Sequence, residues 1–276
     1  MIRTLRSAAG RVVGLAPLLV AALVAACART APRARAEAGA LQPTERALAP
    51  GDAAGPAIGA EQDPEAARSR RAALVRSIEE KGYARGERVL DAMRRVPRHL
   101  FVPGAPLDQA YGDWPLGIGS GQTISQPGVV AEMTEALELG GAERILEIGT
   151  GSGYQAAILS LLAREVYTIE IVRELGERAS ARLRELGYTN VHVRIGDGYA
   201  GWPEKAPFDR VILTAAPPEV PGALLDQLAE GGILIAPVGE EHAVQWLVRI
   251  RKKDGKLSRE RLSLVRFVPM VPGPRP

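Results

Sequence analysis

Arg144-Ile-Leu-Glu-Ile-Gly149-Thr-Gly151-Ser-Gly153-Tyr-Gln-Ala156 decides the fold. Its first five residues form a short, mostly apolar run that stops at a glycine, which predicts a buried strand over Arg144–Ile148. The alternating glycines predict a tight loop whose backbone approaches a ligand where a Cβ would clash. Ala156 to Ala163 then predicts a helix. Strand, glycine loop and helix in that order begin an open parallel sheet, so the alternation should continue downstream.

It does. Glu165–Glu170, Val191–Ile195, Phe208–Thr214 and Gly232–Pro237 are further apolar runs of strand length. Between them, Arg173 to Leu186 is a charged amphipathic helix, and Leu224 to Ala229 lies in a short one. The last pair, about Gln245–Arg251 and Arg261–Val268, flanks Lys253-Asp-Gly255 and reads as a hairpin. Upstream, residues 65–81 carry Leu74 and Ile78 four apart, with Gly82 as a stop. A second helix runs from about Glu87 to Val96, with Val89, Leu90 and Met93 on one face and Pro97 ending it. The expected architecture is α/β: a Rossmann-like, mostly parallel sheet with a C-terminal antiparallel hairpin and N-terminal helices. Ligands belong at the C-terminal ends of its strands.

Three acids stand at those ends. Glu147 precedes the glycine loop, Glu170 closes the second strand, and Asp197 follows the third in Gly196-Asp197-Gly198. A carboxylate at the second strand end can accept hydrogen bonds from a ribose diol, and Asp197 falls near an expected adenine edge. Gly151-Ser-Gly153-Tyr-Gln-Ala156 also satisfies the GxGxxA dinucleotide pattern, so the loop by itself leaves a nicotinamide-dependent oxidoreductase open. Glu147 weighs against that reading, because it adds negative charge where a pyrophosphate would sit. An acid there suits the sulfonium and ammonium groups of S-adenosylmethionine.

Before the glycine loop lies Leu116-Gly-Ile-Gly-Ser-Gly121-Gln-Thr-Ile-Ser125-Gln-Pro127. Its glycines and polar residues predict a mobile loop, followed by a helix with proline at an early position. Ser125 has two readings of equal weight at this point. It is an N-cap, or its hydroxyl joins the helix-start N–H groups in holding a carboxylate.

Several segments resemble those of protein-L-isoaspartate O-methyltransferases, in that family's order and spacing, over about residues 70–270. They are Gly121-Gln-Thr-Ile-Ser-Gln-Pro127, Ile145-Leu-Glu-Ile-Gly-Thr-Gly-Ser-Gly-Tyr-Gln155, Gly196-Asp-Gly198, Thr214-Ala-Ala-Pro-Pro-Glu-Val-Pro221, Pro237-Val-Gly239 and Val265-Arg-Phe-Val-Pro269. The resemblance implies that Ser125 is the active-site serine. It puts Gln122, Thr123, Ile124 and Ser125 in the substrate-facing loop, with Thr123 also facing the cofactor. Gly149, Gly151 and Gly153, behind Glu147, match the methionine side, Glu170 the ribose acid, and Asp197 with Gly198 the adenine side. The implied reaction transfers a methyl group from S-adenosylmethionine to the free α-carboxylate of an L-isoaspartyl residue in a damaged protein, after which a succinimide re-forms. The implied partners are isoaspartyl peptides and proteins, with no metal. Some members carry a polar C-terminal extension over the cofactor, and Val271-Pro-Gly-Pro-Arg-Pro276 is expected to contribute little of that kind.

The composition is compatible with this reading. The 276 residues are 46% hydrophobic and 24% charged, which excludes a wholly disordered chain, a collagen and a polytopic membrane protein. Cys27 is the sole cysteine, which excludes an internal disulfide, a cysteine-held metal cluster and a CxxC pair. The three histidines, His99, His192 and His242, are far apart. The formal charge is +3, but residues 1–36 hold six arginines and no acid, so the remaining chain is net negative. No nucleic-acid partner is expected for such a body.

Residues 1–27 read as a signal-peptide-like leader. Arg3, Arg6 and Arg11 precede the apolar run Val12 to Ala26, which is shorter than the ~20 residues of a membrane span. Val24-Ala-Ala-Cys27 resembles the lipobox of bacterial lipoproteins. Residues 28–63 are rich in Ala, Pro, Gly and Arg and are expected to be a disordered linker. The methyltransferase domain is expected over 64–276. The methyl donor is a cytosolic metabolite, so the expected location is the cytoplasm. The alternative is an exported lipoprotein anchored through Cys27, the one case in which membrane contact is expected. An inactive binding lipoprotein is the remaining alternative function.

Overall fold

The computed structural model describes residues 61–241 and 243–273. The leader, the linker as far as residue 60, and His242 lie outside the described residues.

Two N-terminal helices, α1 (Glu65–Glu80) and α2 (Glu87–Arg95), lead through a 3-10 turn at Arg98–Phe101 to the short α3 (Leu107–Ala110). A small hairpin, β1 (Leu116–Gly119) and β2 (Gln122–Ile124), precedes α4 (Pro127–Ala136). The alternating part follows: β3 (Arg144–Ile148), α5 (Tyr154–Ser160), β4 (Glu165–Glu170), α6 (Arg173–Glu185), β5 (Val191–Ile195) and β6 (Phe208–Leu213). It continues through α7 (Gly222–Asp226) into β7 (Leu228–Val238), and closes with β8 (Gln245–Lys253) and β9 (Lys256–Val265).

The main sheet has seven strands in the order β5-β4-β3-β6-β7-β8-β9. β3 pairs in parallel with both β4 and β6, while β8 and β9 are antiparallel. The chain therefore runs outward from β3 to β5, then crosses back to lay β6 on the other side of β3. This reversal opens a crevice at the strands' C-terminal ends, where ligands of such sheets sit. Alternation along each strand divides the core between the two faces. Ile145, Val166, Ile212 and Ile235 pack with residues of α1, α2, α4 and α5, whereas Leu146, Ile169, Val211 and Leu234 pack with Leu224 of α7. The terminal hairpin turns at Asp254 and Gly255, both with positive φ, as a two-residue turn between twisted strands requires.

Several expectations need correction. The segment expected as a mobile loop is the β1–β2 hairpin, with Leu116 opposite Ile124 and Gly117 opposite Thr123. Its turn places Ser120 and Gly121 at φ 51° and 69°, the positive values that a tight hairpin turn demands. The expected linker also extends too far. Asp63 makes a two-pronged ion pair with the buried Arg71 at 2.9 and 2.8 Å, and the Gln62 carbonyl bonds His99 Nε2 at 2.8 Å. A nearly dry charge pair ties residues 62–63 to the fold. Helix α5 starts at Tyr154, two residues early, because Gly153 serves as its N-cap at φ 87°. α7 ends at Asp226, since Leu228 already pairs with Phe208. β9 begins at Lys256, its first six residues being exposed and therefore without the apolar alternation that marks a strand.

Candidate functional site

A cleft opens at the reversal point. It is lined by the β2 end (Gln122–Ser125), the glycine loop (Ile148–Ser152), Tyr154 and Gln155, Ile169–Val172, Gly198, Thr214 and the tail Val268–Val271. The loop has the backbone of a cradle. Gly149 and Gly151 have φ of 102° and 54°, and a Cβ on Gly149 would stand 2.4 Å from Thr214 Oγ1. Thr214 fixes that approach by donating to the carbonyls of Ile148 and Gly149, at 3.0 and 2.6 Å. Any side chain at 149 would both strain the backbone and fill the bend.

Glu170 is the cleft's carboxylate. It is buried, and its Oε2 accepts the Gly151 N–H at 2.7 Å while Oε1 accepts the Val172 N–H at 2.9 Å. It thus holds the glycine loop against the start of α6. An ionised carboxylate has about four acceptor positions, so two remain for a ligand's hydroxyls.

Glu147 lies on the same face of β3 as Ile145, behind the glycine loop, and does not line the cleft. It is fully buried, and neither carboxylate oxygen has a hydrogen-bond partner. Burial pushes its pKa up to about 8; the nearby Thr168 hydroxyl works against the rise and the Glu170 charge adds to it. At neutral pH the group is therefore mostly protonated until a cation approaches.

Asp197 and Gly153 also fall outside the cleft wall. Asp197 Oδ1 caps the turn after β5 through the Tyr199 N–H at 2.8 Å, and Oδ2 accepts the Gly273 N–H at 2.9 Å. Its carboxylate latches the C-terminal tail instead of facing the cavity. Gly153 packs on α6, where a Cβ would meet Leu183 Cδ1 at 3.2 Å. Gly198 does face the cleft, and a Cβ there would stand 2.4 Å from Ile148 Cγ2.

The tail is a wall that sequence reasoning missed. Ala216 forms a parallel bridge with Pro269, its N–H donating to the Val268 carbonyl at 2.8 Å and its carbonyl accepting the Met270 N–H at 2.9 Å. Tyr199 Oη donates to the Met270 carbonyl at 3.1 Å. The segment works through its backbone, which explains why its apolar residues gave no sign of a role.

Gln122, Thr123, Ile124 and Ser125 all line the cleft, and Ile124 is the buried one. The N-cap reading of Ser125 fails, because the N-cap is Gln126 and makes no side-chain cap bond. The Gly128 N–H at the start of α4 donates instead to Asp113 Oδ1 at 2.8 Å, and Asp113 is ion-paired with Lys81. That end of the helix is already neutralised, so the Ser125 hydroxyl stands apart from it. Behind the hairpin, buried Arg98 donates to the carbonyls of Ala110 and Trp114 and lies 5.0 Å from the Tyr154 ring. Burial lowers its pKa only to about 10, so it keeps its charge there.

A second groove meets the first at Thr123, Ser125, Thr214 and Val268, residues that line both. It runs from there between Val129 and Glu132 of α4 and the stretch Ser263–Phe267. The site therefore has two arms, one along the glycine loop and one beside α4, that share Ser125. Among the described residues, no group of three or more His, Cys, Asp or Glu could hold a metal ion.

Comparison with known proteins agrees with this geometry. Residues 69–274 match the family model described as protein-L-isoaspartate(D-aspartate) O-methyltransferase. A protein-L-isoaspartate O-methyltransferase of Dictyoglomus turgidum is 52% identical over 201 residues, covering 73% of this chain and 90% of the relative. One of Opitutus terrae is 56% identical over 185 residues, covering 67% and 79%. Among solved structures, a protein-L-isoaspartate O-methyltransferase superposes with a TM-score of 0.67 at 32% identity, over 72% of this chain and 65% of that one. A Plasmodium falciparum protein, described as a putative enzyme of the same kind in complex with S-adenosyl-L-homocysteine, gives 0.65 at 26% identity, over 73% and 98%. These relatives lend no support to the oxidoreductase or to the inactive binding lipoprotein.

Proposed function

The chain belongs to the protein-L-isoaspartate(D-aspartate) O-methyltransferase family, and we propose that its two arms divide the reaction between cofactor and acceptor at Ser125. The protein is an S-adenosylmethionine-dependent methyltransferase that esterifies the free α-carboxylate of L-isoaspartyl residues and so starts their return through the succinimide. The residues present fit that cofactor. The glycine cradle admits a ligand close to the backbone, Glu170 has acceptor positions to spare for a ribose diol, and the unpartnered Glu147 beneath the loop favours a cation over a pyrophosphate.

S-adenosylmethionine, when bound, supplies an electrophilic methyl group on its sulfonium. The acceptor carboxylate is already ionised at neutral pH, with a pKa of ~3–4, so no general base is required. Neither His99 nor His192 lines either arm, and among the described residues no histidine pairs with Ser125. Ser125 donates a hydrogen bond that orients the carboxylate, with Gln122, Thr123 and Ile124 forming the same rim. Glu170 holds the ribose and keeps the loop closed. Glu147, behind the loop, would release its proton to solvent as a cationic group binds and would then balance that charge. Gly149 and Gly151 allow the close approach, Gly198 does so on the adenine side, and the Asp197–Gly273 latch holds the tail over it. Rate enhancement comes from alignment of carboxylate and methyl and from exclusion of water.

The observation that supports this division is the shared lining at Thr123 and Ser125, where the two arms meet. Its test is methyl transfer from labelled S-adenosylmethionine to an isoaspartyl peptide, scored as base-labile methanol. Transfer to the isoaspartyl form and none to the aspartyl form is expected, and equal labelling of both would refute the reading. For the working location we propose the cytoplasm, where the donor is made, and no nucleic-acid partner. The native N-terminus, read by mass spectrometry, tests the location: a lipidated Cys27 would overturn it.

A further inference from the structure

We propose that Arg266 and Glu132 read the charge of the residues flanking the modified aspartate, and so set which damaged sites the enzyme prefers. The inference rests on the acceptor lying along the arm beside α4. That arm is lined by fifteen residues, of which Glu132 and Arg266 are the charged ones. They stand on opposite walls. Glu132 projects from α4 one turn beyond Val129, and Arg266 follows β9. The rest of the lining is apolar or neutral, including Tyr83, Val244, Leu264 and Phe267.

Neither charge is engaged by any described residue, in contrast to the arginines of the adjacent strand. On neighbouring β8, Arg249 is held by Glu260 at 2.6 Å and Arg251 by Glu138 at 2.9 Å. Arg71, Arg144, Arg194 and Arg210 each have an acid as well. Arg266 is exposed and Glu132 half-buried, and both look into the groove without a partner. An acceptor carries its own reacting carboxylate to the Ser125 end. Charges further along the arm can therefore be matched only by the acceptor's neighbouring side chains. A like charge placed there repels, and an opposite one attracts and fixes the register. An acidic neighbour suits Arg266, and a basic one suits Glu132.

The test compares initial rates of the full chain at saturating S-adenosylmethionine on three sets of isoaspartyl peptides. One set has neutral flanks, one carries a Glu and one a Lys, placed in turn within two residues on either side. The wild type, R266E and E132K are assayed on all of them. For each contact the expected change in the Glu-to-Lys ratio of kcat/KM is about threefold to fivefold, the range of a solvent-facing ion pair. It should lie in KM, have opposite sign in the two variants, and shrink at ~0.5 M salt, where the screening length falls to a few ångströms. An unchanged ratio in both variants overturns the proposal. So does an equal loss on every peptide with R266E, which would assign Arg266 to the reacting carboxylate. A wild type inactive on the neutral peptide overturns the acceptor reading itself, and this inference with it.

Discussion

Glu147→Gln tests the buried-acid geometry directly. Inside the fold the carboxyl has a pKa of about 8, against 4.5 for the ordinary group. The folded protein therefore keeps a proton that the unfolded chain has lost across that interval. Because the folded pKa is raised, this group's effect on stability worsens as pH rises from about 4.5 to about 8 and is constant outside that window. At about 1.4 kcal/mol per pH unit, the full interval is worth about 5 kcal/mol, of which about 3 kcal/mol is already lost at pH 7. Glutamine has nearly the same shape and cannot titrate. Urea unfolding of both proteins without cofactor, at steps from pH 4.5 to 8.5, should show the variant gaining about 5 kcal/mol on the wild type across the series. Parallel curves would mean that Glu147 is neither isolated nor desolvated as the geometry has it. Calorimetry supplies a second arm. Titrating S-adenosylmethionine at pH 7 in buffers of different ionisation enthalpy should report nearly one proton released by the wild type and none by the variant.

Ser125→Ala should lower kcat/KM for an isoaspartyl peptide by about tenfold to a hundredfold, the value of one hydrogen bond to a charged group. Cofactor affinity by calorimetry should be nearly unchanged, and equal loss of both would remove Ser125 from the acceptor side. Glu170→Ala should weaken cofactor binding by at least about tenfold. It should also lower the melting temperature, because the Gly151 and Val172 N–H groups lose their shared acceptor; unchanged affinity would take Glu170 out of the ribose position. Asp63→Ala, far from the cleft, should destabilise by about 3 kcal/mol, since it strands the buried Arg71 guanidinium. A loss below about 0.5 kcal/mol in urea would show that the pair behaves as an ordinary surface contact.

What the sequence made legible follows from how far apart the interacting residues lie. β3, β4 and β5 fall where the sequence placed them, because strand-forming apolar and β-branched residues are concentrated in those short runs, in the buried β3 and β4 and in the edge strand β5 alike. The glycine loop was legible for the same local reason, since Gly149 and Gly151 need positive φ and sit within three residues of the strand they follow. The β1–β2 hairpin also had a local signal, the pair Ser120-Gly121, but its strands are short and largely exposed, so no apolar period flagged them. Contacts between distant residues left no trace of either kind. Asp197 bonds Gly273 across 76 positions, and nothing near Asp197 distinguishes a carboxylate aimed at adenine from one that latches a tail. Asp63 lies in a stretch whose average composition forbids a core, yet its carboxylate meets Arg71, and Arg71 also donates to Tyr111 Oη at 3.2 Å. Composition averages over a window, whereas a buried ion pair needs only two residues. The same logic separates the two acids of β3 and β4. Alternation sends Glu147 to the helix-packed face and leaves it without a partner, while Glu170, at its strand's end, meets the amides of Gly151 and Val172. Two glutamates that look equivalent in the sequence, and whose side chains alternation puts on one face of the sheet, thus differ in their surroundings, and the place of Glu170 at the strand end, within reach of two loop amides, is what sets them apart.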